Sequence, residues 1–178
     1  MLGIPLGLLY ANAVESMFHR YVLHGLGKKP GSFWAFHWSE HHRDSRRNGF
    51  SDEHYRTRSL FGWHPQTKER LAIAVGIALH APLLPVAPFF VASITYWGVR
   101  FYRTHKRAHL DPAWARENVP WHYDHHMGPD QDKNWGIGFP IYDYIAGTRE
   151  PYVGTEREAR DADRRGRVGP LAISAPAV

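Results

Sequence analysis

Residues 37–42 of the chain read HWSEHH, and three other short stretches hold histidines at similar spacing: HRYVLH at 19–24, HKRAH at 105–109 and WHYDHH at 121–126. Imidazole nitrogens are common ligands of transition metals, and histidines three or four residues apart lie on one face of an α-helix. We therefore interpret these stretches as metal ligands that bring four segments of the chain together. The predicted ligands are His19, His24, His37, His41, His42, His105, His109, His122, His125 and His126.

The spacing predicts two metal ions rather than one. In an α-helix His105 and His109 share a face, whereas residues five apart, such as His19 and His24, point roughly 140° apart. We therefore expect the members of each five-residue pair to bind different metals. Ten imidazoles over two ions give about five ligands each, which exceeds the four of a closed structural zinc site and favours iron with a position open for O2, although zinc can replace iron during purification.

Length and composition limit the classes of protein to be considered. The chain has 178 residues, the size of one domain, and no cysteine, so thiolate ligands are excluded. Its net charge is +5, and the basic residues flank apolar segments, which is typical of a surface beside anionic membrane lipids. We therefore expect a membrane lipid as partner and no nucleic acid.

Two apolar stretches, residues 1–18 and 71–101, are candidates for contact with a membrane. A single crossing by the second stretch would separate the histidine segments, and the stretch is too short for two spans of about twenty residues each. Prolines at positions 82, 85 and 88 interrupt it, so we predict a hairpin that dips partly into the bilayer. Basic residues on both sides of the hairpin place the histidines on the cytoplasmic face by the positive-inside rule. The predicted fold is an all-α integral membrane protein with a cytoplasmic helical cap that holds a histidine-rich dimetal site.

Three histidines fall outside the four stretches. We exclude His54 and His64 from the metal set, because they lie in the polar segment 43–68, which we interpret as a loop with short surface helices. His80 lies in the apolar hairpin, where we expect it to make a hydrogen bond within its own helical turn.

The four histidine stretches, in this order, resemble the motifs of the fatty acid hydroxylase/sterol desaturase superfamily. The resemblance covers about residues 11–148, because the NWG at 134–136 and the YDYIAGT at 142–148 are similar to the end of the family pattern. Tyr142 and Ala146 depart from that pattern, which commonly has Trp and Phe there. The resemblance implies an integral membrane enzyme with a non-haem di-iron centre that uses O2 to hydroxylate or desaturate a lipid, such as a fatty acyl chain or a sterol-like substrate.

The resemblance also implies a division of the ligands and a source of electrons. One metal would receive His19, His37, His41, His122 and His125. The other would receive His24, His42, His105, His109 and His126. We expect electrons to come from a separate ferredoxin- or cytochrome b5-like donor.

We expect residues 1–150 to form a fatty acid hydroxylase-like membrane catalytic domain. Residues 151–178 are predicted to form a polar, disordered C-terminal tail, because charged residues and then Gly, Pro and Ala dominate their composition. Within the catalytic domain, metal-bound imidazoles usually donate their second N–H to a carboxylate or a carbonyl. The candidates for this supporting role are Glu15, Asp124, Asn134 and Asp143.

Three alternatives remain at this point. A carotenoid hydroxylase is the nearest, although the ending from Asn134 to Thr148 favours the fatty acid and sterol branch. A zinc-dependent membrane hydrolase would activate water instead of O2, but the histidines are too many for tetrahedral zinc and no HExxH motif is present. A non-catalytic metal-handling or haem-binding membrane protein has less need of four histidine clusters.

Overall fold

The computed structural model describes residues 2–57 and 62–168, and it contains no strand in these ranges. The predicted all-α class is confirmed for this part of the chain. Two π-helices, π1 at Phe18–Leu26 and π2 at His37–His42, follow α1 and precede α2, and 3-10 turns occupy Glu53–Arg56 and Ala81–Leu83. The α-helices are α1 Gly3–Met17, α2 Arg43–Arg47, α3 Pro65–His80, α4 Pro88–Leu110, α5 Pro112–Asn118, α6 Pro120–Met127, α7 Ile141–Ala146 and α8 Glu156–Val168.

Prolines and polar caps define where several helices begin. A proline occupies the first turn of α3, α4, α5 and α6, where its missing N–H costs no helical hydrogen bond. The Asp111 side chain accepts a hydrogen bond from the Trp114 backbone N–H at 3.0 Å and caps α5. As a result, α4, α5 and α6 follow one another with almost no loop between them, which keeps the last two histidine stretches close.

Helices α3 and α4 form the predicted hairpin, with the turn at residues 81–87. The two helices run antiparallel, since Gly98 of α4 lies against Ile73 and Ile77 of α3. Within residues 2–57 and 62–168, none of the helices combines the length and the apolar content that a membrane crossing requires. The polar segment 43–68 holds the expected short helices, and residues 58–61 lie outside the described ranges.

Helix α1 packs closely along α4 through small and apolar side chains. Ala11, Ile94 and Trp97 form a buried cluster at this contact. Gly7 allows the closest approach, because a Cβ at this position would lie 2.8 Å from Ser93 Cβ and 2.9 Å from the Phe90 carbonyl oxygen. This contact fixes α1, and with it π1, relative to the helix that carries the third histidine stretch.

A second apolar core lies behind the histidines. It joins the end of α4 to α5, α6 and the segment that precedes α8. Its members are Phe50, Ala108, Ala115, Val119, Tyr123, Met127 and Tyr152.

The chain after Pro151 differs from the disordered tail that its composition predicts, as far as the structure describes it. Tyr152 is buried in the second core, and α8 extends over Glu156–Val168. Arg116 of α5 forms a salt bridge with Glu158 of α8. Composition alone misses this helix because its attachment to the domain depends on tertiary contacts such as those of buried Tyr152 and the Arg116–Glu158 ion pair. Residues 169–178 lie outside the described ranges, and the division near residue 150 stays a prediction.

We predict that Gly7→Ala destabilises the protein, because the new methyl group must displace backbone atoms of α4. The expected loss in unfolding free energy is about 1 to 3 kcal/mol. The control is Gly76→Ala in α3, where a Cβ would meet no atom within 4 Å and where the better helix propensity of alanine predicts no loss. Thermal unfolding in detergent measures both variants, and equal behaviour of the two would contradict the proposed close contact.

Candidate metal centre

The structure brings nine of the ten predicted ligands into two adjacent groups. In each group the candidate ligand atoms lie within 4.8 Å of one another. Group A consists of His19, His24, His37, His42 and His125. Group B consists of His41, His105, His109 and His126.

The tenth histidine, His122, lies beside group B. Its Nε2 is 3.0 Å from His109 Nε2, and its side chain is fully buried. The two groups touch each other, since the rings of His42 and His126 stack with centroids 4.2 Å apart. The arrangement is therefore one continuous cage with two centres.

The three remaining histidines lie outside both groups. His54 Nδ1 lies 2.8 Å from Asp52 Oδ1, and His64 is exposed at the start of α3. His80 Nδ1 lies 2.7 Å from the Gly76 carbonyl oxygen, the bond within its own helical turn that we predict from sequence.

The predicted separation of His19 from His24 is wrong, because the segment that carries them is a π-helix. A π-helix joins residues i and i+5, as the 3.0 Å bond between Gly27 N and Val22 O shows, so side chains five residues apart lie close together. The rings of His19 and His24 are 5.1 Å apart. Both histidines therefore belong to group A.

The second π-helix has the same effect on the second histidine stretch. His37 Nε2 and His42 Nε2 lie 3.1 Å apart in group A, whereas His41 points into group B. The division of ligands implied by the family resemblance is thus corrected at His24, His41 and His42, and also at His122, which lies beside group B instead of with His19, His37 and His125. The consecutive residues His41 and His42 serve different centres, which ties the two groups together.

Acceptor groups fix the orientation of most of the imidazoles. His19, His109 and His125 place Nδ1 at 2.8, 2.8 and 2.6 Å from the backbone carbonyl oxygens of Trp135, Phe50 and Lys133. A carbonyl can only accept a hydrogen bond, so Nδ1 carries the proton in each neutral ring. The Nε2 lone pair of each ring then faces the interior of the cage.

Two carboxylates hold rings of group B in the same way. Asp52 Oδ2 lies 2.7 Å from His41 Nδ1, and Glu69 Oε1 lies 2.7 Å from His105 Nδ1. Burial alone would raise the pKa of Asp52, but the hydrogen bond from His41 and further bonds from His54 lower it to about 2. Asp52 is therefore an anion at neutral pH and holds the proton of His41 on Nδ1.

Burial also keeps the imidazoles neutral. Desolvation, and then the proximity of the other histidines, lowers the pKa of six of them well below the ordinary value. The same burial lowers the pKa of His125 to about 4, against the opposing effect of the Lys133 carbonyl. Neutral imidazole is the form that binds metal. The six strongly affected residues are His19, His37, His42, His109, His122 and His126.

The buried nitrogens of the cage match the requirements of bound cations. His41 Nε2, His105 Nε2 and both ring nitrogens of His126 are buried without a hydrogen-bond partner among the described residues. In group A, His19 Nε2 and His24 Nε2 each lie 3.1 Å from the Nε2 atom of another imidazole. Two ring nitrogens at this distance can share at most one proton, and buried polar atoms are rarely left unpaired. Metal ions between these nitrogens would satisfy both groups.

The comparison with known families decides the assignment. The family model for fatty acid hydroxylases matches residues 4–148. The chain belongs to the fatty acid hydroxylase family. The resemblance inferred from the histidine stretches is therefore confirmed, and the family is generally membrane-associated and iron-dependent. No curated protein and no solved structure matches the chain.

The four residues that we predict to support the ligands contact backbone groups near the histidines of this fatty acid hydroxylase family member, and not the imidazoles themselves. Asp143 accepts hydrogen bonds from the backbone N–H groups of Trp135 and Gly136, both at 2.8 Å. Glu15 accepts from Ile137 N at 2.5 Å, Gly138 N at 2.9 Å and Trp97 Nε1 at 2.6 Å. These bonds shape the loop whose carbonyl groups orient His19 and His125.

Asn134 and Asp124 stabilise the segment that follows this loop. The Asn134 side chain accepts from Glu150 N and from Arg149, each at 2.8 Å. Asp124 forms a salt bridge with Arg149 at 2.7 Å and accepts from Val153 N at 2.7 Å. In the described ranges, no recorded hydrogen bond joins Glu15, Asp124, Asn134 or Asp143 to a histidine of the cage, so the direct support that we expect from sequence is not seen.

Sequence reasoning missed the acidic residues that do contact the imidazoles. Besides Asp52 and Glu69, Asp132 places Oδ1 at 3.2 Å from His24 Nδ1. Tyr55 donates to Glu69 Oε2 at 2.5 Å and lies 3.1 Å from His105 Nδ1. Glu69 lies 36 positions from His105, and no local pattern distinguishes it or Asp52 from surface acids of the same polar segments.

An apolar cavity of about 450 Å³ leads to both histidine groups. It lies between α1, α3 and α4, and apolar side chains such as Ile73, Ile94 and Phe101 line it. Its inner end is formed by His19 and His37 of group A and by His41 and His105 of group B. The dimensions and the lining suit a long apolar molecule with one segment beside both centres.

We predict that Glu69→Leu weakens metal binding about 10- to 100-fold, because His105 loses the acceptor that orients its ring. Glu53→Leu is the control, since the Glu53 side chain is exposed and forms a surface ion pair with Arg56. Competition with a chelator of known affinity measures the retained metal in each variant. Unchanged affinity in Glu69→Leu would show that the carboxylate does not position the ligand.

Proposed function

We propose that the protein uses O2 and two iron ions to hydroxylate or desaturate a C–H bond of a membrane lipid. The observation that carries this proposal is the cavity: it is apolar, and its inner end is built from histidines of both groups. A lipid chain in this cavity would lie against the candidate metal centre without any polar group at the reacting carbon.

Ligand number and family membership support iron at both centres. Group A offers five imidazoles, and group B offers four with His122 beside them. A closed structural zinc site needs only four ligands, whereas imidazole-rich sites with higher coordination suit iron. Two iron ions held there would supply the activation of O2 that the oxidation of an unactivated C–H bond requires.

The residues of the chain would orient the lipid and exclude water from the reacting carbon. Phe101 and Ile94 of α4 and Ile73 of α3 all line the cavity, so a lipid chain there would lie between the two helices. Glu69 and Asp52 keep the protons of His105 and His41 on Nδ1, away from the cage. The cavity therefore combines an apolar channel with ligands of which His41 and His105 are held in one tautomer.

The exposed apolar end of the bundle supports insertion into a bilayer. Leu2, Leu79, Val86 and Phe89 are 77%, 74%, 80% and 57% exposed at the end where α1 begins, α3 ends and α4 begins. An exposed apolar surface of this kind is typical of membrane contact. We propose that this end lies in the bilayer, with the histidines towards the cytoplasm because basic residues flank them. Electrons would come from a separate ferredoxin- or cytochrome b5-like donor.

We predict about two iron ions per polypeptide after anaerobic purification in mild detergent from iron-replete cells, and a clear loss of iron in His126→Ala. Both ring nitrogens of His126 are buried without a partner in the part of the chain that the structure describes, so its removal takes a ligand from group B. His64→Ala is the matched control, because His64 lies outside both groups. Metal analysis of the three proteins gives the result, and lipid extracts of expressing cells are compared for oxygenated or unsaturated products.

Equal iron in His126→Ala and the parent, with equal lipid products, would contradict the proposal. Two tightly held zinc ions despite iron-replete expression, together with activity that needs neither O2 nor reductant, would instead support the zinc-dependent hydrolase.

A further inference from the structure

The cavity ends, on the side away from the histidine groups, at a polar pair. The Tyr10 hydroxyl oxygen lies 3.0 Å from His80 Nε2, which joins α1 to the end of α3. Both residues line the cavity, and Tyr10 is 41% exposed, so the pair lies where the cavity meets its surroundings. Along α3, the step from Glu69 at the metal end to His80 is roughly 16 Å at the rise of an α-helix.

The Tyr10–His80 pair is polar, whereas the part of the cavity around it is lined by apolar residues. Around it the cavity is lined by Ala11, Gly76 and Ile77. The carboxylates that also line the cavity, Glu15 and Glu69, lie at the histidine end and are already hydrogen-bonded. Apart from the indole N–H of Trp34, which can only donate, the polar side chains among the described lining residues therefore lie at the metal end and at the Tyr10–His80 pair.

The hydrogen bonds of His80 determine which chemical group the pair can accept. His80 Nδ1 lies 2.7 Å from the Gly76 carbonyl oxygen, so Nδ1 donates, and Nε2 of the neutral ring is an acceptor. The Tyr10 hydroxyl must then donate to His80 Nε2. What remains for a ligand is a lone pair on the Tyr10 oxygen, which binds a hydrogen-bond donor and not an ether, ester or ketone oxygen.

We propose that the Tyr10–His80 pair binds a hydroxyl group at the end of the substrate remote from the reacting carbon, so that the substrate class is a long lipid alcohol. The position of the reacting carbon rests on the proposed function, whereas the binding of the hydroxyl group does not. The lipid would enter with its apolar end first, and its hydroxyl group would donate to Tyr10 at the cavity mouth.

The test is the binding of three radiolabelled probes, hexadecanol, hexadecane and hexadecyl methyl ether, to the protein in detergent micelles. Comparing each variant with the parent cancels the partition of the probe into the micelle. We expect Tyr10→Phe to lower hexadecanol affinity about fivefold, the worth of one neutral hydrogen bond, and to leave hexadecane affinity unchanged. Tyr96→Phe is the control, because Tyr96 is exposed on α4 and does not line the cavity.

We expect His80→Leu to raise the affinity for the ether. It frees the Tyr10 hydroxyl to donate, so affinity for hexadecyl methyl ether should rise about fivefold above that of the parent. Equal losses of alcohol and hydrocarbon binding in Tyr10→Phe would overturn the proposal and show that the pair only joins two helices. Ether affinity that is unchanged in His80→Leu would overturn it as well.

The outcome is independent of metal and turnover. Selective alcohol binding in a protein that holds no iron would retain the hydroxyl site and reject the proposed oxygenase. Two iron ions and oxidised lipid products without alcohol selectivity would support the proposed oxygenase and reject the hydroxyl site.

Discussion

The structure depends on the burial of ten imidazoles whose ring nitrogens converge. Water is excluded from these rings, and several Nε2 atoms face one another at 3.0 to 3.2 Å. Such an arrangement is unfavourable for the protein alone, because several of the buried ring nitrogens lack a hydrogen-bond partner among the described residues. Cations bound among these nitrogens would convert the same geometry into an attraction. The fold can therefore be understood as a frame that brings four distant segments to one metal-binding interior.

Two carboxylates that do not contact the imidazoles help to hold this arrangement in place. Asp143 and Glu15 bind backbone N–H groups of one loop, and that loop offers carbonyl oxygens to His19 and His125. Because the loop also lies against Trp97 of α4, its position depends on the contact between α1 and α4. A substitution at the contact between α1 and α4 would therefore move this loop and change the orientation of His19 and His125.

Much of the candidate site could be predicted from sequence, because chelating spacing is visible in the chain itself. The ten histidines, the proline-turned hairpin and the all-helical class are examples. The grouping of the ligands could not be predicted, since it depends on π-helices at residues 18–26 and 37–42, and an α-helical wheel separates residues that a π-helix joins. The roles of Glu69 and Asp52 as acceptors for His105 and His41 could not be predicted either, because they arise only when α3 and the segment after α2 fold against the cage. The helix at 156–168 depends on tertiary contacts of Tyr152 and Glu158 that polar composition does not reveal.

The most direct test of the central claim is anomalous diffraction at the iron absorption edge from crystals of the anaerobically purified protein. The account predicts two iron peaks in each chain, one among the Nε2 atoms of group A and one among those of group B, both beside the inner end of the apolar cavity. A single peak, or iron bound outside the two groups, would contradict it.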